Sequence, residues 1–190
     1  MRIISGKFKG RRLLAPEGRD IRPTADRARE SIFNILTHAS FAPDLEGASV
    51  IDVFAGTGAL GLEALSRGAN PVTFIDIDDL ARATILKNAG TLGQARAVNV
   101  LRLDATKMPP PPRIADCPAR LAFLDAPYDQ DITGPTLLSL LARGWVAEGS
   151  LCVCETPVER SFEAPRGYVL EEQRKYGKAL MSFLSVKEKP

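Results

Sequence analysis

The chain has 190 residues, 45% of them hydrophobic and 25% charged, an ordinary composition for one globular domain with a real core. It contains no run of about eighteen apolar residues, so no membrane span is expected, and Met1–Gly6 is too short and polar to read as a secretory signal. Three cysteines (Cys117, Cys152 and Cys154) and the single His38 make neither a disulfide framework nor a zinc ligand set, so no metal is expected and a reducing, cytoplasmic setting fits.

The net charge of +2 is unevenly spread. Residues 1–30 carry nine basic side chains against four acidic ones, a local +5 that leaves the remainder at −3. A basic arm on a mildly acidic body points to an anionic partner, nucleic acid first among them.

In chain order, Arg2-Ile3-Ile4 and Leu13-Leu14-Ala15 are apolar patches on either side of Gly6 and Gly10, which predicts a β-hairpin. Pro16, Gly18 and Pro23 mark a loop. Thr24 is placed to cap a helix whose apolar stripe is Ile32, Phe33, Ile35 and Leu36. From Val50 the pattern alternates. Strands are expected at Val50–Phe54, Val72–Ile77, Val98–Leu103, Leu121–Asp125 and Leu151–Glu155, with helices at Ala59–Ser66, Leu80–Asn88 and around Thr136–Leu141. Cys152 and Cys154 would share one face of their strand. The run Pro109–Pro112 is a connector, and Val169–Arg174 with Leu180–Val186 forms a closing strand pair. Near-continuous apolar strands separated by helices predict an α/β fold, a mostly parallel sheet covered on both faces. The expected division is an N-terminal extension over 1–44 and a main domain over 45–190.

Gly56-Thr57-Gly58-Ala59-Leu60-Gly61 fits G-x-G-x-x-G, follows a strand and opens a helix, so the backbone can approach a ligand above the strand ends. Asp76 ends the next strand, where a carboxylate can accept from both hydroxyls of a ribose, and Asp104 ends the third, where a base would lie. These residues predict an adenine-nucleoside site. Asp52 tilts the choice of nucleoside, because an acid near the turn suits the ammonium group of S-adenosylmethionine and repels a dinucleotide pyrophosphate. Its ordinary structural role would be to stabilise the turn itself.

Asp125-Ala126-Pro127-Tyr128 follows the apolar run Leu121–Leu124 and would face the glycine turn. An exocyclic base amine is a poor nucleophile, because its lone pair is delocalised into the ring. Acceptors on Asp125 and the Ala126 carbonyl can hold both N–H bonds and turn that lone pair outward, while Pro127 fixes the backbone. Tyr128 offers a stacking face worth about 1–3 kcal/mol. In isolation the tetrapeptide is an ordinary β-turn; its place after the fourth strand gives it this chemistry.

Phe54 through Ala69 (FAGTGALGLEALSRGA) resembles motif I of the bacterial 16S ribosomal RNA guanine-N2 methyltransferases. Arg22 through Asn34 (RPTADRARESIFN) is similar to a second block of that family, as are Arg2–Gly6 with Gly10-Arg11, and Tyr176-Gly177. The resemblance covers nearly the whole chain. It implies a Rossmann-like class I methyltransferase with seven strands, the last antiparallel, and a cytoplasmic, monomeric enzyme of ribosome biogenesis. The implied cofactor is S-adenosyl-L-methionine, held by Asp52, Phe54, Ala55, Gly56, Gly58, Asp76, Ile77, Asp104 and Ala105. Asp125, Ala126, Pro127 and Tyr128 would hold a guanine of 16S ribosomal RNA, the partner being that RNA or the small ribosomal subunit. Arg22, Thr24 and Arg27 would lie near the cofactor mouth or the RNA backbone. One departure stands out: the family's tetrapeptide has proline at the second position, where this chain has Ala126.

Three rivals share parts of this pattern. An adenine-N6 methyltransferase uses the same tetrapeptide. An NAD-dependent oxidoreductase uses the glycine turn but leaves Asp125–Tyr128 and the basic arm unexplained. A non-catalytic RNA-binding assembly factor would need the arm alone.

Overall fold

A computed structural model describes residues 1–15 and 23–187, the side chains of 23–26 excepted. Its elements are α1 (Pro23–His38), β1 (Val50–Val53), α2 (Ala59–Ser66), β2 (Val72–Ile75), α3 (Asp79–Thr91), β3 (Val98–Leu101), β4 (Leu121–Asp125), α4 (Thr133–Arg143), β5 (Leu151–Pro157), β6 (Tyr168–Tyr176) and β7 (Ala179–Val186). Among the described residues no helix is long and apolar enough to cross a membrane.

The strands form one sheet in the order β3-β2-β1-β4-β5-β7-β6. Strands β1 to β5 pair in parallel, and β7 runs antiparallel between β5 and β6. The order reverses between β1 and β4, which opens a crevice at the carboxyl ends of those strands where open α/β sheets bind ligands. The expected fold class is the observed one.

Alternation along the strands divides the core into two layers. Val50, Phe74, Phe123, Val153 and Phe183 face α1, α2 and α3, meeting Phe33, Leu36, Leu62 and Ile85. Ile51, Val53, Leu124, Cys152 and Cys154 face the other way, onto Leu137 and Leu140 of α4 and the buried Trp145. Cys152 and Cys154 thus share a face as their spacing predicts. Both are free and buried, and burial pushes the Cys152 thiol up to about 12.

The N-terminal arm folds back on itself as its apolar patches predict, in a short antiparallel ladder: Arg2 and Arg12 bridge, Ile3 N donates to the Arg11 carbonyl at 2.9 Å, Gly10 N to the Ile3 carbonyl at 2.9 Å and Leu13 N to the Met1 carbonyl at 3.1 Å. Ile4 N and Ser5 N donate to the buried Glu63 carboxylate at 2.7 and 3.0 Å, and Glu63 also holds Arg67 Nε at 2.9 Å. Phe8 N donates to Ser66 Oγ at 2.9 Å. Gly6 makes this approach possible: a Cβ there would lie 1.9 Å from the Ser66 carbonyl oxygen. Ile3 and Leu13 enter the same core layer as α1 and α2. The arm is therefore lashed to α2 by a buried carboxylate, a stronger tie than a two-stranded ribbon alone gives.

Three boundaries shift. Helix α1 begins at Pro23, a residue whose fixed φ suits a first helical position, so Thr24 already lies inside the helix rather than ahead of it. Strand β2 stops at Ile75 and β3 at Leu101, short of Ile77 and Leu103; Asp76 then turns its carboxylate onto Gly56 N and Asp78 N, and Asp104 caps a short turn through Thr106 N.

Candidate active site

The first wall of the crevice is built from the end of β1. Phe54 leaves the strand with φ 59°, a left-handed conformation uncommon for a bulky residue, and Gly56 and Gly58 follow at 55° and 76°. Gly58 and Gly61 are required by close packing as well. A Cβ at Gly58 would meet Ile85 Cγ1 at 3.0 Å, and one at Gly61 would lie 2.4 Å from Phe74 Cε1. The turn is thus pressed onto β2 and α3.

Acids pin this turn. Asp52, 1% exposed, accepts from Gly61 N at 2.9 Å and ties the start of α2 to β1. Burial holds its carboxyl well above the ordinary range; the Gly61 bond opposes this, and the charges of Asp125 and Asp76 add to it. The turn-holding role is the contact observed. Asp76 accepts from Gly56 N at 2.8 Å through Oδ2 and from Asp78 N at 2.9 Å through Oδ1. A carboxylate has about four lone-pair positions, so Asp76 retains acceptor capacity for a ribose. Asp104 accepts from Thr106 N at 2.9 Å and Thr106 Oγ1 at 2.6 Å, which holds its carboxyl below the usual value.

Between these walls lies a cavity of about 290 Å³ lined by Phe54, Asp76, Ile77, Asp104, Ala105 and Pro127, with Ile75, Leu103 and Ile132 behind them. Its size and character, apolar walls with a few convergent acids, suit a nucleoside. Phe54, Asp76, Ile77, Asp104 and Ala105 were all expected here and come together. Asp52, Ala55 and Gly58 lie buried beneath the turn, and Gly56 joins the turn to Asp76.

The second wall follows β4. Asp125 ends the strand exposed, Ala126 is buried, and Pro127 reaches the cavity itself. Tyr128 is 40% exposed, and its hydroxyl donates to Glu155 Oε1 on β5. Partial burial and the neighbouring carboxylates, Glu155 foremost, push the Tyr128 phenol well above its usual value, so it stays a neutral donor. Arg160 braces the loop from the β5–β6 connection. Its guanidinium donates to the Tyr128 carbonyl at 3.2 Å and the Gln130 carbonyl at 3.0 Å and pairs with Asp131 at 3.5 Å. These bonds supply rigidity where Ala126 replaces the expected proline.

Sequence reasoning missed Glu155, Arg160 and Asn88. Asn88 is buried on α3 and donates to the Thr57 carbonyl at 3.0 Å and the Leu14 carbonyl at 3.1 Å, joining the arm to the glycine turn. Of the residues expected near the mouth, Arg27 is exposed on α1. Arg22 and the Thr24 side chain lie outside the described residues.

The family model described as conserved hypothetical protein 95 matches residues 1–185. The chain belongs to this family. Ribosomal RNA small subunit methyltransferase D of Escherichia coli K12 is 36% identical over 180 residues, covering 93% of this chain and 85% of that one. The Haemophilus influenzae protein of the same name is 32% identical over 181 residues, covering 93% and 89%. The solved structure of yhhF from Escherichia coli, described there as a candidate methyltransferase, superposes with a TM-score of 0.81 at 31% identity, covering 100% of this chain and 99% of that one. The chain is a methyltransferase with a Rossmann-like fold, and the oxidoreductase alternative falls away with that membership.

Proposed function

We propose that this methyltransferase transfers a methyl group from S-adenosylmethionine to the exocyclic N2 of a guanine in small-subunit ribosomal RNA. One observation carries the reading. Pro127 belongs to the Asp125–Tyr128 loop and also lines the nucleoside-sized cavity, so the acceptor loop and the cofactor cavity share a wall. The names of the Escherichia coli and Haemophilus influenzae relatives supply the RNA. The basic N-terminal segment is consistent with it. Such a substrate would place the enzyme in the cytoplasm.

When bound, S-adenosylmethionine supplies an electrophilic methyl group. Asp76 would accept from the ribose hydroxyls, Phe54, Ile77 and Ala105 would enclose the adenine, and Asp104 would lie at its edge. Asp125 and the Ala126 carbonyl would accept the two hydrogens of the target amine and aim its lone pair at the cavity. Tyr128 would stack on the base after it leaves its helix. The buried floor beneath the turn keeps bulk water from that side.

The test is methyl transfer from labelled cofactor to small subunits, free small-subunit RNA and duplex DNA, followed by digestion to nucleosides. Label is expected in N2-methylguanosine from an RNA-containing substrate; label in N6-methyladenosine would hand the reading to the adenine rival. Replacing the exposed Lys9 and Arg12 with alanine should weaken RNA binding and lower the salt slope by about one per charge, and an unchanged slope would reduce the arm to structure.

A further inference from the structure

Glu155 is unexplained by cofactor binding and lies beside the target-base loop. Asp125 and Glu155 are partners in the parallel register of β4 and β5, which sets their backbones about 4.8 Å apart. By strand alternation both side chains leave the sheet on the face that holds Phe123 and Val153, the same face as Asp52. Glu155 is half-buried, and its Oε1 accepts from the Tyr128 hydroxyl, which fixes the carboxylate and the stacking ring relative to one another. Among the described residues Oε2 has no hydrogen-bond partner. The target base would therefore meet three acceptors: the Asp125 carboxylate, the Ala126 carbonyl and Glu155 Oε2.

Guanine and adenine answer these acceptors differently. Beside its exocyclic amine, guanine presents N1–H, a donor, so its edge offers three hydrogens in a row. Adenine presents an unprotonated N1, whose lone pair would face a carboxylate. We propose that Glu155 is the residue that selects guanine over adenine, by accepting N1–H while Asp125 and Ala126 take the two amine hydrogens. This rests on the guanine-N2 reading above and gives it a specificity determinant. A carboxylate held by a neighbouring hydroxyl is suited to the task, because it does not need to be ordered when the base arrives.

The test uses 2-aminopurine, which keeps the exocyclic N2 amine and lacks N1–H. Small-subunit RNA is splint-ligated to carry guanine or 2-aminopurine at the nucleotide that the wild-type enzyme methylates, and kcat/KM is measured for both. The wild type should prefer guanine by about 10–100-fold, the discrimination a matched donor–acceptor contact gives. In Glu155→Gln the amide carbonyl can still receive the Tyr128 hydroxyl while its NH2 turns a donor toward N1. Guanine transfer should then fall by about the same factor, with 2-aminopurine transfer unchanged or raised. Tyr128→Phe, which removes the hydroxyl and keeps the carboxylate, should slow both substrates and retain a preference for guanine smaller than that of the wild type. Calorimetry with S-adenosylhomocysteine checks that each variant still binds cofactor.

A wild type with no preference for guanine would overturn the proposal without any variant. So would a Glu155→Gln enzyme that loses equally on both bases, since Glu155 would then act only by holding Tyr128. Label in N6-methyladenosine from the wild type would overturn the guanine reading itself, and the role of Glu155 with it.

Discussion

Two neighbouring stretches of the same sheet edge are held by opposite means. At β1 and β2 the glycine turn is fixed by carboxylates bonded to backbone N–H groups, Asp52 to Gly61 and Asp76 to Gly56, with glycines pressed onto buried rings. At β4 and β5 the acceptor loop is fixed by side chains that arrive from another segment: Glu155 on the Tyr128 hydroxyl, and Arg160 on two loop carbonyls. The first stretch is buried or half-buried, whereas the second, Ala126 apart, is largely exposed. A cofactor of one shape suits a rigid backbone cradle. A base that must enter and leave suits a loop whose grip is made by adjustable side chains.

Asp125→Ala puts this contrast to its most severe test. If the acceptor half acts on the base alone, transfer should fall on the order of a thousandfold while S-adenosylhomocysteine binding changes by less than about threefold. Near-normal turnover would refute the role given to Asp125, and a parallel loss of cofactor affinity would show that the two halves are one site. Gly61→Ala probes the other side. The added Cβ lies 2.4 Å from a Phe74 ring that is fully buried, so overpacking should destabilise the fold by about 1–3 kcal/mol in urea unfolding. A variant as stable as the wild type would mean that the cradle yields easily. Arg160→Ala should lower kcat about tenfold by loosening the loop. Its exposed ion pair predicts a stability change within about 0.5 kcal/mol. A large stability loss with kcat preserved would make Arg160 a scaffold residue instead.

The two halves also differed in how far the sequence disclosed them. The proposed cofactor half is local: a strand, a glycine turn, a helix and a strand-ending acid 20 residues on. The chemistry of each residue type could be read in order along the chain. The tetrapeptide Asp125–Tyr128, the proposed acceptor, could be singled out for the same reason. Its braces were not, because Glu155 and Arg160 reach it through strand order and register, which periodicity does not encode. Glu155 nevertheless carried a signal. It ends the apolar run Leu151–Cys154 as Asp125 ends Leu121–Leu124, and two acids closing adjacent parallel strands must meet. Asn88 carried none, since a polar residue in a helix reads as surface until packing buries it. The arm's tie to α2 was not legible, because Glu63 reads as an ordinary helix acid until packing brings it to Ile4 N and Ser5 N.

Asp52 is where the halves touch, since its carboxyl is raised first by burial and then by the charges of Asp125 on one side and Asp76 on the other. A raised pKa means that the folded chain binds this proton more tightly than the unfolded chain. Its contribution to stability is therefore complete below the ordinary carboxylate value of about 3.9 and is lost as pH climbs through the higher folded value. The amide of an Asp52→Asn variant would keep an acceptor for Gly61 N and titrate nowhere. The stability of that variant relative to the wild type should thus rise as pH climbs above about 4, read from urea midpoints. Parallel pH profiles would show that burial does not penalise the charge. The same variant separates the two roles that the sequence suggests for Asp52. If it only ties β1 to α2, S-adenosylhomocysteine should bind Asp52→Asn as it binds the wild type. If its charge also meets the cofactor's ammonium group, affinity should fall by about tenfold, the effect of removing one charge-assisted contact.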